Sequence, residues 1–159
     1  MRTLTLLAAM AALLMSEGTF AQSTDPVYFG GKLGFSKPHG SDNDSGFNIF
    51  GVLGQKMEKN IYWEAELSLN LMDGDIGGGP DNDWSMDSIA GYFVYRTEGD
   101  LQLKAKLGVS YWDDNLDNDT NLSAGIGIGV RLGTGMVDVE YTQINPYADY
   151  ITVGYILRF

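Results

Sequence analysis

The sequence predicts an all-β fold, an eight-stranded antiparallel up-and-down barrel that spans a membrane. Three observations predict it: strict apolar/polar alternation in segment after segment, connections that alternate between long and short, and no sustained helical period anywhere past the N-terminus. Composition agrees. The chain has 159 residues, 44% hydrophobic and 19% charged, which suits one folded domain and is too apolar for disorder. Its 21 glycines against 4 prolines show no Gly-X-Y period, so glycine serves strands and turns. Ten basic against 21 acidic residues leave a net charge of -11, the wrong sign for gripping a phosphate backbone, and nucleic acid is excluded as a partner. With no cysteine there is no disulfide, iron–sulfur cluster or thiol nucleophile, and the lone His39 leaves little for zinc. No cofactor and no metal site are expected.

Residues 1–21 read as a secretory signal peptide. Arg2 precedes an apolar run from Leu4 to Met15, and the small residues Thr19 and Ala21 set a cut after Ala21. The run is too short for a spanning helix, which needs about 20 residues. Residues 22–159 are then the barrel domain.

Taken in order, the first strand starts at Val27, with Val27, Phe29, Gly31, Leu33 and Phe35 on one face and Tyr28, Gly30, Lys32, Gly34 and Ser36 on the other. The third, Ile61 to Leu71, sets Ile61, Trp63, Ala65, Leu67, Leu69 and Leu71 against Tyr62, Glu64, Glu66, Ser68 and Asn70. The fifth, Leu101 to Tyr111, opposes its aliphatic row to Gln102, Lys104, Lys106, Gly108 and Ser110. The sixth, Leu122 to Leu132, opposes its row to Ser123, Gly125, Gly127, Gly129 and Arg131. Val137, Val139 and Tyr141 face away from Asp138, Glu140 and Thr142 in the seventh, and Ile151 to Phe159 is the eighth. Phe47 to Lys56 and Ser85 to Arg96 supply the second and fourth, but apolar residues on both faces leave their register open.

Long links run over 37–46, 72–84, 112–121 and 145–149, and short ones over 57–60, 97–100 and 133–135. Successive hairpins with long loops on one rim and short turns on the other describe a transmembrane barrel, with both termini on the short-turn rim. The charged face is assigned to the interior. Five or six bulky apolar residues per strand would overfill an eight-stranded lumen, and the glycines on the charged face make room for long side chains. A lumenal charge network of Lys32, Glu64, Glu66, Lys104, Lys106, Arg131, Asp138 and Glu140 follows, its members pairing because an unpaired buried charge is strongly unfavourable. Trp63, Trp84, Tyr92, Tyr111, Trp112, Tyr141 and Tyr155 are read as interfacial girdle aromatics.

The C-terminus carries a resemblance. Gly154-Tyr155-Ile156-Leu157-Arg158-Phe159, with apolar residues counted back by twos from Phe159, resembles the terminal signature of bacterial outer-membrane barrels. Nearly all of residues 22–159, including the Tyr28–Gly34 opening strand, is similar to the small OmpA/OmpX-like barrel family. The resemblance implies an integral protein of the Gram-negative outer membrane, in contact with lipid and lipopolysaccharide. It also implies that Gly154, Tyr155, Leu157 and Phe159 form the signal read by the outer-membrane assembly machinery. No cell-wall-binding domain is expected after the barrel, and a monomer is expected. Architecture of this kind does not by itself give function.

Three functions are compatible with the residues. The first is a non-enzymatic barrel displaying acidic loops at the cell surface, for surface interaction or envelope integrity. The loops carry Asp42, Asp44, Asp73, Asp75, Asp81, Asp83, Asp113, Asp114, Asp117, Asp119 and Asp149 against Lys37, and contacts to cationic partners or divalent ions are expected there. The Asp113–Asp119 run lacks the glycine and distal Glu of an EF-hand loop and reads as a solvated acidic loop. The alternative is a narrow porin-like channel through the charged lumen. Third is a lipid A-modifying enzyme using His39 and Ser41, whose His-X-Ser spacing resembles that of lipid A deacylases; a histidine in a glycine-rich loop is more often polar surface.

Overall fold

The computed structural model describes residues 27–39, 44–75, 83–114 and 118–158. The signal segment, Ser41, Asp42, Asp81, Asp117 and Phe159 lie outside the described residues. Eight long strands form the barrel: β1 (Val27–Pro38), β2 (Gly46–Lys56), β3 (Ile61–Met72), β6 (Met86–Arg96), β7 (Leu101–Asp114), β8 (Asn118–Leu132), β9 (Gly135–Asn145) and β10 (Ala148–Arg158). Each pairs antiparallel with its neighbour in the chain, and β1 pairs with β10 to close the ring. Closure leaves no barrel edge with unpaired amides, the condition for a sheet in hydrocarbon. The small ribbon β4 (Gly74–Asp75) with β5 (Asp83–Trp84) sits in the connection between β3 and β6.

Alternation sets the wall. In β7 every even residue from Gln102 to Trp112 except Gly108 is buried, while odd residues from Leu101 to Tyr111 are exposed. Phe93, Leu122 and Ile126 on neighbouring strands stand 65–77% exposed, an apolar surface suited to lipid rather than water. Strands β2 and β6, whose register the sequence leaves open, point Phe50, Val52, Ala90 and Val94 inward beside their polar residues.

Two connections are tighter than the sequence suggests. β7 and β8 extend to Asp114 and from Asn118, and β9 and β10 are joined by Pro146 and Tyr147 alone. Polar Asp and Asn at these strand ends mask pairing that continues above the apolar band. The opposite rim turns tightly, as at Gly133–Thr134, where Gly133 takes φ 62°, a left-handed value that favours glycine.

Candidate functional site

Inside the barrel, eight ionised side chains form one network. Lys32 Nζ lies 2.6 Å from Glu66 Oε1 and 3.2 Å from Glu140 Oε2. Lys104 Nζ bridges Glu64 Oε2 and Glu140 Oε2, each at 2.6 Å, with Asp138 at 3.8 Å. Lys106 pairs with Glu66 Oε2 at 2.7 Å and also with Glu140. Arg96 Nη2 reaches Glu64 Oε1 at 2.7 Å and Asp138 Oδ2 at 3.3 Å. Tyr28 donates its hydroxyl to Glu64 at 2.5 Å, and Thr142 donates to Glu140 at 2.9 Å. Lys106 also stands 4.1 Å from the centroid of the Tyr92 ring, within cation–π range. Lys32, Arg96, Lys104 and Lys106 thus meet Glu64, Glu66, Asp138 and Glu140, four cations against four carboxylates.

Balance of this kind is what burial demands, since desolvated charges need opposite partners with good geometry. Oxygens of Glu64, Glu66 and Glu140 lie within 4.8 Å of one another, a spacing that suits a metal ion. Lysine ammonium groups already lie against all three carboxylates, so a divalent ion would have to displace them. Gly154 faces Lys32 across the β1–β10 pair, and a Cβ there would strike the Lys32 side chain. Its glycine is therefore explained by the lumen. Tyr155 and Leu157 point outward on the same strand.

Three sequence expectations are corrected. Arg131 is exposed and outside the network: it is the last inward position of β8, where the mouth opens and its side chain reaches water. Trp84, Tyr92 and Trp112 are buried in the lumen rather than set in the girdle, whereas Trp63, Tyr111, Tyr141 and Tyr155 do face outward. The lumen is not uniformly polar. Phe50, Trp84, Met86, Trp112, Ile144, Ala148 and Tyr150 form an apolar plug at the long-loop end, and Tyr28, Val52, Met136 and Ile156 form a second apolar layer toward the short-turn end. Arg96, which the sequence reading missed, ends a strand of open register; the row Ser88, Tyr92, Arg96 on one face was the signal that could have found it.

At the long-loop rim the described residues Asp44, Asp73, Asp75, Asp83, Asp87, Asp113, Asp119 and Asp149 face only Lys37 and His39 as basic groups, and the chain there also carries Asp42, Asp81 and Asp117. His39 Nε2 lies 2.9 Å from Asp149 Oδ2, and the His39 amide donates to the Tyr147 carbonyl at 2.7 Å. At the other rim Lys56, Lys59 and Arg131 are matched by Glu58, Glu98 and Asp100.

A closed antiparallel barrel with an apolar outer wall and a self-neutralised lumen defines the class of membrane-spanning β-barrels. The chain belongs to the outer membrane protein beta-barrel domain family, whose model matches residues 5–159. Sequence comparison with curated proteins gives no match. Solved structures share the fold at low identity. Neisserial surface protein A is 15% identical, with 86% of this chain and 98% of that chain covered and a TM-score of 0.56. Ail of Yersinia pestis, solved with the heparin analogue sucrose octasulfate, is 15% identical, with coverage of 85% and 97% and a TM-score of 0.54. The outer membrane enzyme PagL is 16% identical, with coverage of 82% and 98% and a TM-score of 0.54.

Proposed function

We propose that this chain is an integral outer-membrane barrel, exported by a signal peptide cut after Ala21, that conducts no ions, catalyses no reaction and presents a fixed acidic rim to cationic partners at the cell surface. One observation carries the reading: among the described residues the lumenal charges cancel four against four, so the chain's net charge of -11 belongs to residues outside that network. The short-turn rim is balanced among its described residues, which leaves the excess at the long-loop rim. A field of that sign attracts cations and repels polyanions such as the heparin analogue seen with Ail. The two apolar layers above and below the charge belt argue against a channel, because ions do not cross a packed, dry constriction.

The test is polylysine binding to vesicles holding the barrel, compared with an Asp44→Asn, Asp83→Asn, Asp113→Asn, Asp119→Asn variant. Binding that weakens with salt and drops in the variant supports the reading; binding unchanged by either sinks it. The same vesicles fused to a planar bilayer should stay electrically silent.

A second reading, a lipid A-modifying enzyme, is favoured by the His39–Asp149 pair, since a carboxylate on a histidine orients it as a base, with Ser41 two residues away in sequence. Mass analysis of lipid A from cells with and without the chain decides between them. No change is expected, and a lost acyl chain that returns in His39→Ala would establish the enzyme.

A further inference from the structure

An apolar groove of about 1000 Å³ lies on the outer wall, lined from β1 across β2, β3, β6 and β7 to β8. Its floor is Gly51, Ala65 and Gly91, and its walls include Trp63, Phe93 and Leu107. A Cβ added at Gly51 or Gly91 would meet nothing within 4 Å, so the floor is open outward and not crowded from within. Elsewhere the wall presents large side chains to lipid, as at Leu33, Phe35, Ile126 and Val153.

We infer that this groove holds one acyl chain of a phospholipid drawn from the leaflet on the short-turn side. The inference rests on the membrane placement proposed above. The groove's ends choose the source. Toward the short-turn rim Trp63 donates to Gln55 Oε1 at 3.3 Å, and Lys56 and Lys59 follow, with Glu58 and Glu98 balancing them. Toward the other rim it ends at Tyr111, Thr120 and Leu122, beyond which Asp113 and Asp119 on the same two strands would meet a lipid phosphate with like charge. A phosphate therefore meets an excess of negative charge at the long-loop end and none at the short-turn end. A second copy fits less well. Two grooves face to face would enclose a void of twice their volume, and a convex wall seated in the groove makes a head-to-tail contact that does not close. A linear polymethylene chain fills a narrow trough without either penalty.

Trp63 is a built-in reporter, because Trp84 and Trp112 are buried in the lumen and only Trp63 touches the groove. The full chain is folded in detergent micelles and titrated with phosphatidylglycerol brominated on its acyl chains. Emission from Trp63 should fall in a saturable way and lose most of its quenchable part at stoichiometric lipid. In the Gly51→Leu, Gly91→Leu variant, whose added Cβ atoms meet nothing within 4 Å, the heat-dependent gel shift of a closed barrel should persist while quenching becomes weak and linear in lipid. Linear quenching of the wild type, or equal saturation in the variant, overturns the site. Displacement by lipid A in preference to phosphatidylglycerol overturns the assignment of source. A cross-linked dimer abolished by Gly91→Leu gives the groove to a second copy and overturns the lipid. A chain that stays out of micelles and shows no gel shift overturns the membrane placement and this inference together.

Discussion

The lumen and the long-loop rim are both dense in ionised side chains and solve the same electrostatic problem in opposite ways. In the lumen three of the four acids are glutamates, and each reaches a lysine or arginine on another strand. At the rim the described acids are all aspartates, and several bond nearby amides: Asp119 accepts from Thr120 N at 2.7 Å and Asp87 from Asn70 N at 2.8 Å, while Asp149 meets the His39 ring. Long side chains are needed where partners lie across a cavity, and short ones suffice where water and local backbone solvate the charge. Buried charge is thus fixed by other charges and serves the fold; at the long-loop rim the acids stand in net excess over the few basic groups there.

Breaking that contrast should have its largest effect at Glu64, which holds Tyr28, Arg96 and Lys104 at once. Glu64→Leu takes one carboxylate from each of two buried cations, and urea unfolding in detergent should show a loss of about 3–5 kcal/mol. Arg96→Leu added to it should cost less than the sum of the single changes, because neither charge is then left without its partner; strict additivity would mean the network is not coupled. Next comes the adjacent pair Tyr111 and Trp112, on opposite faces of β7. Trp112→Ala removes part of the apolar plug and should cost about 3 kcal/mol, whereas Tyr111→Ala exchanges one lipid contact for another and should cost far less. Equal losses would contradict the assignment of inside and outside. A third comparison sets Arg96→Gln against Arg131→Gln: the first breaks two buried ion pairs, and the second, at the open mouth, should stay within about 0.5 kcal/mol of wild type.

Most of the wall was legible in the sequence because lipid on one side and charge on the other enforce a period of two in six of the strands. Legibility failed where the lumen itself turns apolar. Phe50 and Val52 in β2, and Ala90 and Val94 in β6, belong to the packed layers that flank the charge belt, so their strands read as apolar on both faces. The same cause hid Arg96 and sent Trp84, Tyr92 and Trp112 to the girdle, since an aromatic residue carries no mark of which apolar phase it enters. Arg131 failed for a different reason: parity gives direction but not depth, and one position nearer the strand end is the difference between a buried salt bridge and water.

The smallest expected effect on stability is at the rim, and it is also the sharpest test of the division between the two regions. Changing Asp113 and Asp119 together to Asn removes two like charges from a rim that has few opposite ones. Stability at moderate salt should stay within about 0.5 kcal/mol of wild type. At low ionic strength the variant should be slightly the more stable, because self-repulsion among the remaining aspartates is then less screened and its relief counts for more. The corresponding change in the lumen, Glu66→Gln, should destabilise at every salt concentration, since Lys32 and Lys106 lose a buried partner at 2.6 and 2.7 Å. Unfolding midpoints measured across a salt series for both variants separate the cases: a rim whose loss destabilises would mean its aspartates hold something in place, and a lumen whose stability follows salt would mean water and ions pass through it.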